Sequence, residues 1–234
     1  MKVAIMQPYL FPYIGYWQLI NAVDIFVVYD DVKYIKGGFI NRNNILVSNK
    51  PKLFSISLNK ASSNKLINEI MICDDEKNVR KILKTIKESY CKAPYFDTVF
   101  PRLKEIFEFN NLNLTTFIVN SIKSICEFLE IETSIVLSSE LEKVDGLSGQ
   151  DRVIDICKKL NSQAYINAIG GQNLYSKNVF KDNNIELSFL KTNEGLRYKQ
   201  LSDEKFVPNL SIIDVMMFNN KTEVRNLLKE FNLF

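Results

Sequence analysis

Two adjacent carboxylates, Asp30 and Asp31, are the residues of this sequence whose type and position best suit chemistry. They follow an apolar, β-branched run at residues 25–29, and this pattern predicts that they lie just beyond a buried strand. Carboxylates in such a position can bind a sugar hydroxyl, act as a general base, or hold a divalent cation beside a phosphate. We therefore take Asp30 and Asp31 as the candidate catalytic residues, with a simple aspartate turn as the alternative.

A basic, amide-rich segment follows the aspartates and offers groups that could hold an anionic substrate. Arg42 is flanked by Asn41 and Asn43, and Lys36 precedes them. A guanidinium is a planar fork that binds phosphate or carboxylate through two parallel hydrogen bonds. We predict that these residues bind substrate, and a solvated arginine in a surface turn is the alternative.

The loop at residues 7–15 is a second candidate binding segment. Its prolines restrict the backbone, and Gly15 would let a ligand approach the start of the following helix, where free N–H groups favour an anion. Gln7, Tyr9 and Tyr13 would line the same pocket. The alternative is a rigid aromatic loop that only closes the edge of a sheet.

Gly170, Gly171 and Gln200 complete the candidate substrate-binding residues. The two glycines follow a predicted strand at 164–167, although a plain turn between a strand and a helix is the simpler interpretation. Gln200 is a polar residue in an otherwise apolar tail. Asp214 lies in the same tail between apolar neighbours, and it needs hydrogen-bond partners if it is buried.

The order of the apolar segments predicts an α/β fold with a mostly parallel sheet. Residues 2–6 and 25–29 are predicted strands, and the apolar spacing at 16–23 between them is helical. Such a βαβ unit makes the two strands parallel neighbours. Further strands are predicted at 135–137, 164–167 and 185–190. Since ligands bind beyond the carboxyl ends of parallel strands, the candidate residues should converge on one cleft.

The remaining segments predict a small antiparallel insertion and a helical lobe within one α/β domain over residues 1–234. Short strand-like pieces alternate with turn residues over about 32–58. Helical spacing predicts a lobe at about 76–130, with helices at 76–91, 101–109 and 113–130. Helices are also predicted at 148–160, at 174–180 and from 210 to the end.

The absence of histidine is the strongest constraint that composition places on function. It excludes Ser-His-Asp and Cys-His catalysis and the HEXXH metalloenzymes, and we assign no metal ligands. The net charge is +3 and the basic residues are scattered, so no nucleic-acid partner is expected. We predict that the four cysteines are unpaired and mostly buried: Cys73, Cys91, Cys126 and Cys157.

We expect no targeting segment in this sequence. Its N-terminal apolar run is interrupted at Gln7-Pro8, which is unlike a signal peptide, and the apolar stretch around Ile25–Val28 is too short for a membrane helix. We therefore expect a cytoplasmic protein without membrane insertion. A homo-oligomer is left open.

The run MQPYLFPYIGYWQLINAVDIFVVYDDVKYIKGGFINRNNI resembles the opening signature of the WbqC-like protein family. Further matches are Asp151-Arg152, Tyr165 with Gly170-Gly171 and Tyr175, and YKQ…FVPNLSIIDVMM near the end. The resemblance covers nearly the whole chain. It implies an enzyme that modifies a nucleotide-linked amino sugar for bacterial surface polysaccharide (O-antigen) biosynthesis, by N-acyl or aminoacyl transfer.

A more distant resemblance concerns the HxGH nucleotidylyltransferases, which have a HUP-like βαβ start. Their histidines would fall near Pro12 and Gly15-Tyr16, and both are missing here. Their absence argues against ordinary nucleotidyl transfer, and nucleotidyl or adenylyl transfer with Mg²⁺ on the aspartate pair is kept only as an alternative. The other alternative is a non-catalytic nucleotide-sugar-binding partner of a glycosyltransferase complex. The expected small-molecule partner is a nucleotide sugar, and the cofactor is left open between Mg²⁺ and a nucleotide-activated donor.

Overall fold

The computed structural model describes residues 1–201 and 205–234, and a mixed set of strands and helices forms these segments. The strands are β1 (Lys2–Met6), β2 (Ile25–Val28), β3 (Arg42–Val47), β4 (Lys50–Ser55), β5 (Leu58–Asn59), β6 (Met71–Ile72), β7 (Ser134–Leu137), β8 (Ala164–Ala168), β9 (Glu186–Thr192) and β10 (Phe231–Leu233). The α-helices are α1 (Ile14–Asn21), α2 (Glu76–Tyr90), α3 (Phe96–Phe107), α4 (Leu114–Leu129), α5 (Gly149–Lys159), α6 (Lys177–Asp182), α7 (Ile212–Phe218) and α8 (Lys221–Leu227). Short 3₁₀ turns lie at Ile67–Glu69, Ser138–Glu140 and Ile169–Leu174.

The central sheet of the described residues has six strands in the order β10-β9-β8-β1-β2-β7. β1 and β2 are parallel neighbours, with Val3 opposite Ile25 and Met6 opposite Val28, as the sequence predicted. β7, β8 and β9 are also parallel to them, and β10 runs antiparallel to β9. The predicted α/β class with a mostly parallel sheet is therefore confirmed.

The two faces of the sheet bury different sets of side chains. Successive strand residues point to opposite faces, so Ala4 and Phe26 pack with α1, α4 and the C-terminal helices, whereas Val3 and Val27 pack with α5 and α6. Burial on both faces explains why these strands read as continuous apolar runs.

The boundary between β1 and β8 is a topological switch point. α1 leaves β1 on one face of the sheet, whereas the residues of α6, which follows β8, pack on the other face. Adjacent strands whose connections diverge in this way open a crevice at their carboxyl ends, where α/β proteins commonly bind ligands.

The segment after β2 contains small antiparallel sheets, as predicted. β3 and β4 form a hairpin from Arg42 opposite Ser55 to Val47 opposite Lys50. β5 pairs with β6, so antiparallel structure extends beyond the predicted boundary at residue 58. The extension was not visible in the sequence because β5 and β6 are two residues long and are defined only by their pairing.

The helical segment that follows differs from the prediction mainly in α3. This helix begins at Phe96, earlier than predicted, and contains Pro101 in its interior. Proline usually marks the first turn of a helix because it lacks an N–H, and this preference misplaced the start. Asn113 caps α4 through its side chain, which accepts a hydrogen bond from the Thr116 N–H at 3.0 Å.

All four cysteines are free thiols, but they are not all buried. Cys126 and Cys157 are buried, and burial raises the pKa of each to about 12. Cys73 is partly exposed, and Cys91 is exposed at the end of α2, where the prediction of a buried thiol is wrong. The apolar spacing of α2 ends before residue 91, so this thiol faces solvent.

The C-terminal segment is helical in α7 and α8, but the predicted helical tail is wrong for Phe231–Leu233. These residues form β10, in which Phe231 lies opposite Thr192. Within residues 1–201 and 205–234, no helix combines the length and apolar character needed to cross a membrane.

Candidate functional site

Asp30 joins the ends of two neighbouring strands. Val28 of β2 lies opposite Leu137 of β7, which brings the residues that follow these strands together. The Ser139 hydroxyl donates to Asp30 Oδ2 at 2.7 Å, and the Ser139 N–H donates to Oδ1 at 3.0 Å. Because Asp30 is only 1% exposed, this carboxylate holds the turn after β7 against the end of β2.

Asp31 is the centre of an ionic cluster, which we call the Asp31 cluster and define as Asp31, Lys143 and Arg152. Asp31 Oδ2 lies 2.7 Å from Lys143 Nζ and 2.6 Å from Arg152 Nη2. Lys143 comes from the loop after β7, and Arg152 comes from the first turn of α5. The three side chains are 12%, 13% and 22% exposed, so they are largely withdrawn from solvent but still accessible.

The environment keeps Asp31 ionised. Burial is the largest single influence and by itself raises the pKa of this carboxyl group. Hydrogen bonds from Lys143 and Ser138, with the charges of Arg152 and Lys143, outweigh burial and leave the pKa of Asp31 below its ordinary value. In this state Asp31 is a counter-ion and a weak base.

Two features of the cluster are unbalanced. One carboxylate faces two cations, so the group carries a surplus positive charge. Asp31 Oδ1 is buried and has no hydrogen-bond partner among the described residues. A buried polar atom without a partner is costly and calls for an explanation.

Aromatic side chains border the cluster. The Arg152 guanidinium lies over the Tyr29 ring, 5.3 Å from its centroid. Tyr175 packs against Tyr165 with ring centroids 5.8 Å apart, and burial raises the pKa of both hydroxyls. Tyr29 and Tyr175 both pack against the buried side chains on the face of the sheet that α5 and α6 cover.

The glycine pair after β8 has two distinct environments. A Cβ atom on Gly171 would lie 2.6 Å from Asn167 Nδ2, too close for any side chain unless the asparagine moved. Asn167 is buried, and its Oδ1 accepts a hydrogen bond from the Ala168 N–H at 2.8 Å. Gly170 has open space around it. Close packing therefore requires glycine at position 171 but not at position 170.

The loop after β1 lies on the other side of the switch point. Tyr9 packs against Tyr16 and Phe39, with ring centroids 5.6 Å and 6.5 Å away. The Gln7 side chain is half-buried, and its backbone carbonyl accepts a hydrogen bond from the Tyr16 hydroxyl at 2.9 Å. This loop therefore presents aromatic surface beside the carboxyl end of β1.

Tyr13 covers the start of α1. A Cβ atom on Gly15 would lie 2.5 Å from the Tyr13 ring and 2.8 Å from the Thr192 hydroxyl. Gly15 is buried, whereas Tyr13 is 37% exposed. In this conformation the tyrosine ring occupies the space that the sequence suggested for an anion at the helix start.

Arg42 folds back onto its own loop. Its Nε donates to the Gly38 carbonyl at 3.0 Å, and its Nη2 donates to the Gly37 carbonyl. Lys36, in the same loop, is exposed. Both cations lie at the surface of the insertion, and the Arg42 guanidinium keeps donors that these bonds do not use.

Asn41 and Asn43 hold the insertion in place through backbone carbonyls. Asn41 donates to the Ile56 carbonyl at 2.9 Å and accepts from the Tyr34 hydroxyl. Asn43 is buried and donates to the carbonyls of Leu10 and Phe11. Asn43 thereby ties the insertion to the loop after β1.

Gln200 belongs to a buried network around Asp214. Asp214 is fully buried and accepts hydrogen bonds from the Tyr90 hydroxyl at 2.8 Å, the Tyr198 hydroxyl at 2.7 Å and Gln200 Nε2 at 2.9 Å. Burial raises the pKa of Asp214 although these three donors act to lower it. The partners that the sequence required for Asp214 are therefore present, and Gln200 is one of them.

Sequence reasoning missed Lys143 and Arg152 as site residues. Arg152 was visible only within the Asp151-Arg152 match of the family resemblance, and Lys143 lies in a polar loop without any motif. A separate cavity of about 520 Å³ lies between α2, α3 and β6. The candidate residues are not among the described residues that line it, which include Cys73, Val79, Leu83, Phe107 and Leu112.

Comparison with known proteins agrees with the resemblance seen in the sequence. The model of the WbqC-like protein family matches residues 7–226. A relative from Mycobacterium tuberculosis, the uncharacterized protein Rv1507c, is 28% identical over 230 residues, which cover 97% of each chain. No solved structure matches. Because the family match spans most of the chain and includes every element from α1 to α7, this protein belongs to the WbqC-like protein family.

Proposed function

We propose that this protein transfers an acyl or aminoacyl group to the amine of a nucleotide-linked amino sugar. The observation that carries the proposal is the Asp31 cluster, a carboxylate with two cations. It lies beyond the carboxyl ends of the parallel strands, which we call the carboxyl edge of the sheet. This edge is where α/β folds commonly bind their ligands. The family resemblance supports bacterial surface polysaccharide, such as O-antigen, as the destination of the product.

Asp31 is the proposed general base, and the substrate itself would make it basic. While Lys143 and Arg152 pair with it, its pKa is low. An anionic substrate that attracted both cations would weaken the interactions that lower the pKa of Asp31. Burial would then be the main influence on this pKa, and burial raises it. Asp31 would then accept a proton when the substrate is bound.

The proposed step is an acyl substitution at the sugar nitrogen. The amine nitrogen attacks the carbonyl carbon of an activated donor, such as a thioester, and a C–N bond forms. The bond between that carbon and the donor's leaving atom breaks, and its electron pair leaves with the carrier. The proton released from nitrogen passes to Asp31. Asp30 would position this step by holding the turn at Ser139.

Some of the other candidate residues would contact the substrate, and the rest would hold the surrounding loops in place. Gln7, Tyr9, Tyr13, Gly170 and Gly171 would line the bound sugar nucleotide, since they surround the strand ends and include exposed aromatic surface. The remaining candidates are Gly15, Lys36, Asn41, Arg42, Asn43 and Gln200. Arg42 and Lys36 would meet a distal acidic group, and the others would hold loops in place.

Nucleotidyl transfer with Mg²⁺ has less support at this site. Both carboxylate oxygens of Asp30 accept hydrogen bonds from Ser139. Asp31 already faces two cations, whose charge would repel a divalent ion.

The test is a transfer assay read by mass spectrometry. The purified protein is incubated with a panel of nucleotide-linked amino sugars and acyl thioesters or aminoacyl adenylates. The expected result is an N-acylated sugar nucleotide, whose formation Asp31→Asn greatly slows. Glu130→Gln is the matched control, because Glu130 also pairs with one lysine and one arginine but at an exposed surface. Absence of product across the panel, or full turnover by Asp31→Asn, would contradict the proposal.

A further inference from the structure

We infer that Lys143 and Arg152 bind the diphosphate of a nucleoside diphosphate, and that Asp31 is the internal counter-ion with which the diphosphate competes. The choice of ligand rests on the proposed function, whereas the binding groups follow from the geometry of the Asp31 cluster. Sequence reasoning had assigned phosphate to Arg42 and to the start of α1. Arg42 instead bonds to its own loop, and Tyr13 covers the helix start.

The charge balance of the cluster favours an anionic ligand. Two cations that are 13% and 22% exposed share one carboxylate, so among the described residues one of the two positive charges has no ion-pair partner of its own. An uncompensated charge away from solvent is costly, and a bound anion removes that cost. Arg152 also lies in the first turn of α5, where the helix dipole adds positive potential.

Most N–H donors of the Arg152 side chain have no acceptor among the described residues. Among the described residues, its contacts are the ion pair with Asp31 and the ring of Tyr29, and none is a hydrogen bond to a carbonyl or hydroxyl. A guanidinium carries five N–H donors in a fixed plane, so most of them are available. Tyr29 supports one face of that plane and so limits its orientation, which suits two-pronged binding of a phosphate.

A second ionic cluster of the same composition shows why the arrangement at Asp31 is unusual. Glu130 pairs with Lys221 and Arg225, again one carboxylate with two cations. There the side chains are 52%, 42% and 49% exposed, so water screens the surplus charge. Burial at the carboxyl edge, rather than composition, makes the Asp31 cluster a candidate anion site.

The main test is equilibrium binding by calorimetry, without any acyl donor. The probes are inorganic pyrophosphate, UDP, GDP and dTDP, each nucleotide alongside its nucleoside. We expect at least one diphosphate to bind, and Arg152→Ala and Lys143→Ala to weaken that binding by about tenfold or more. Arg152→Lys should bind with intermediate affinity, because it keeps the charge and loses the fork. Arg225→Ala is the matched control and should bind as the wild type does.

Asp31→Asn tests the competition directly. If Asp31 competes with the ligand for the two cations, removing its charge should tighten pyrophosphate binding, by about tenfold. Pyrophosphate should also raise the melting temperature of this variant more than that of the wild type. If the cluster were purely structural, this substitution would not tighten anion binding.

The outcomes separate this inference from the proposed function. If Arg152→Ala and Lys143→Ala remain folded by circular dichroism and bind diphosphates like the wild type, the anion site is wrong. Failure of pyrophosphate and all three nucleotides to bind either the wild type or Asp31→Asn would also overturn it. Diphosphate binding that requires Arg152, without acyl transfer to any sugar nucleotide, would leave the site standing and remove the proposed reaction.

Discussion

Asp31 Oδ2 lies 2.6 Å from Arg152 Nη2, and this contact joins the end of β2 to the first turn of α5. Asp31 follows β2, whereas Arg152 lies on α5, the helix of the crossover that leads from β7 to β8. Their contact therefore forms only when the sheet is complete. The stability of this edge of the sheet should consequently depend on whether Asp31 is ionised.

Asp31 should make stability sensitive to acid. Its folded-state pKa is lowered, so its contribution is present above the ordinary aspartate pKa of about 3.9 and is lost as pH falls through the lower folded value. Asp31→Asn should lower the free energy of unfolding at pH 7 by about 1.5–3 kcal/mol, because charged hydrogen bonds are lost. Urea denaturation between pH 7 and pH 3 should show a smaller acid loss in the variant, and equal losses would contradict this.

Asp214 should have the opposite pH dependence. Its folded-state pKa is raised by burial, so the folded protein binds this proton more tightly than the unfolded chain does. Its effect on stability therefore becomes less favourable as pH rises from about 3.9 to the raised folded value. Asp214→Asn should lack this decline. The free energy of unfolding of the variant, relative to that of the wild type, should therefore increase as pH rises. The exposed Asp97→Asn should keep the wild-type profile, and a parallel profile for Asp214→Asn would refute the prediction.

The two glycines after β8 should respond differently to alanine. Gly171→Ala places a methyl group against Asn167, which is held by Ala168, and should destabilise the protein by about 1–3 kcal/mol. It should also weaken ligand binding at the carboxyl edge, because Asn167 interacts with Tyr175. The methyl group of Gly170→Ala would meet open space, so this variant should change neither the stability nor the ligand affinity by much. Thermal melts and binding measurements on both variants check this, and similar results for the two would refute it.

The cysteines should react in the order of their exposure. A short pulse of iodoacetamide on the folded protein, read by peptide mass spectrometry, should label Cys91 first and Cys73 more slowly. Cys126 and Cys157 should stay unlabelled until the protein unfolds, because they are buried and their pKa values of about 12 keep them protonated. Cys91→Ser should remove the fast phase, and rapid labelling of Cys157 in the folded state would contradict the packing.

Local sequence patterns determined the start of the fold. The apolar run of β1, the helical spacing of α1 and the apolar run of β2 lie within a short stretch, and right-handed crossovers leave a parallel arrangement as the favoured outcome. β10 escaped prediction because a three-residue strand has too little pattern of its own. Its existence depends on hydrogen bonds to β9, which comes from a different part of the chain.

The candidate site, like the fold, was predicted only in part from the sequence. The sequence by itself determined that Asp30 and Asp31 follow a buried strand, since that requires only the apolar run before them. Only the tertiary structure decided that Asp30 bonds to Ser139 and that Asp31 faces Lys143 and Arg152. Those contacts arise because β7 pairs with β2 and the helix that follows, α5, packs on one face of the sheet. Pairing between distant segments leaves no periodic pattern in the sequence of the residues that it brings together.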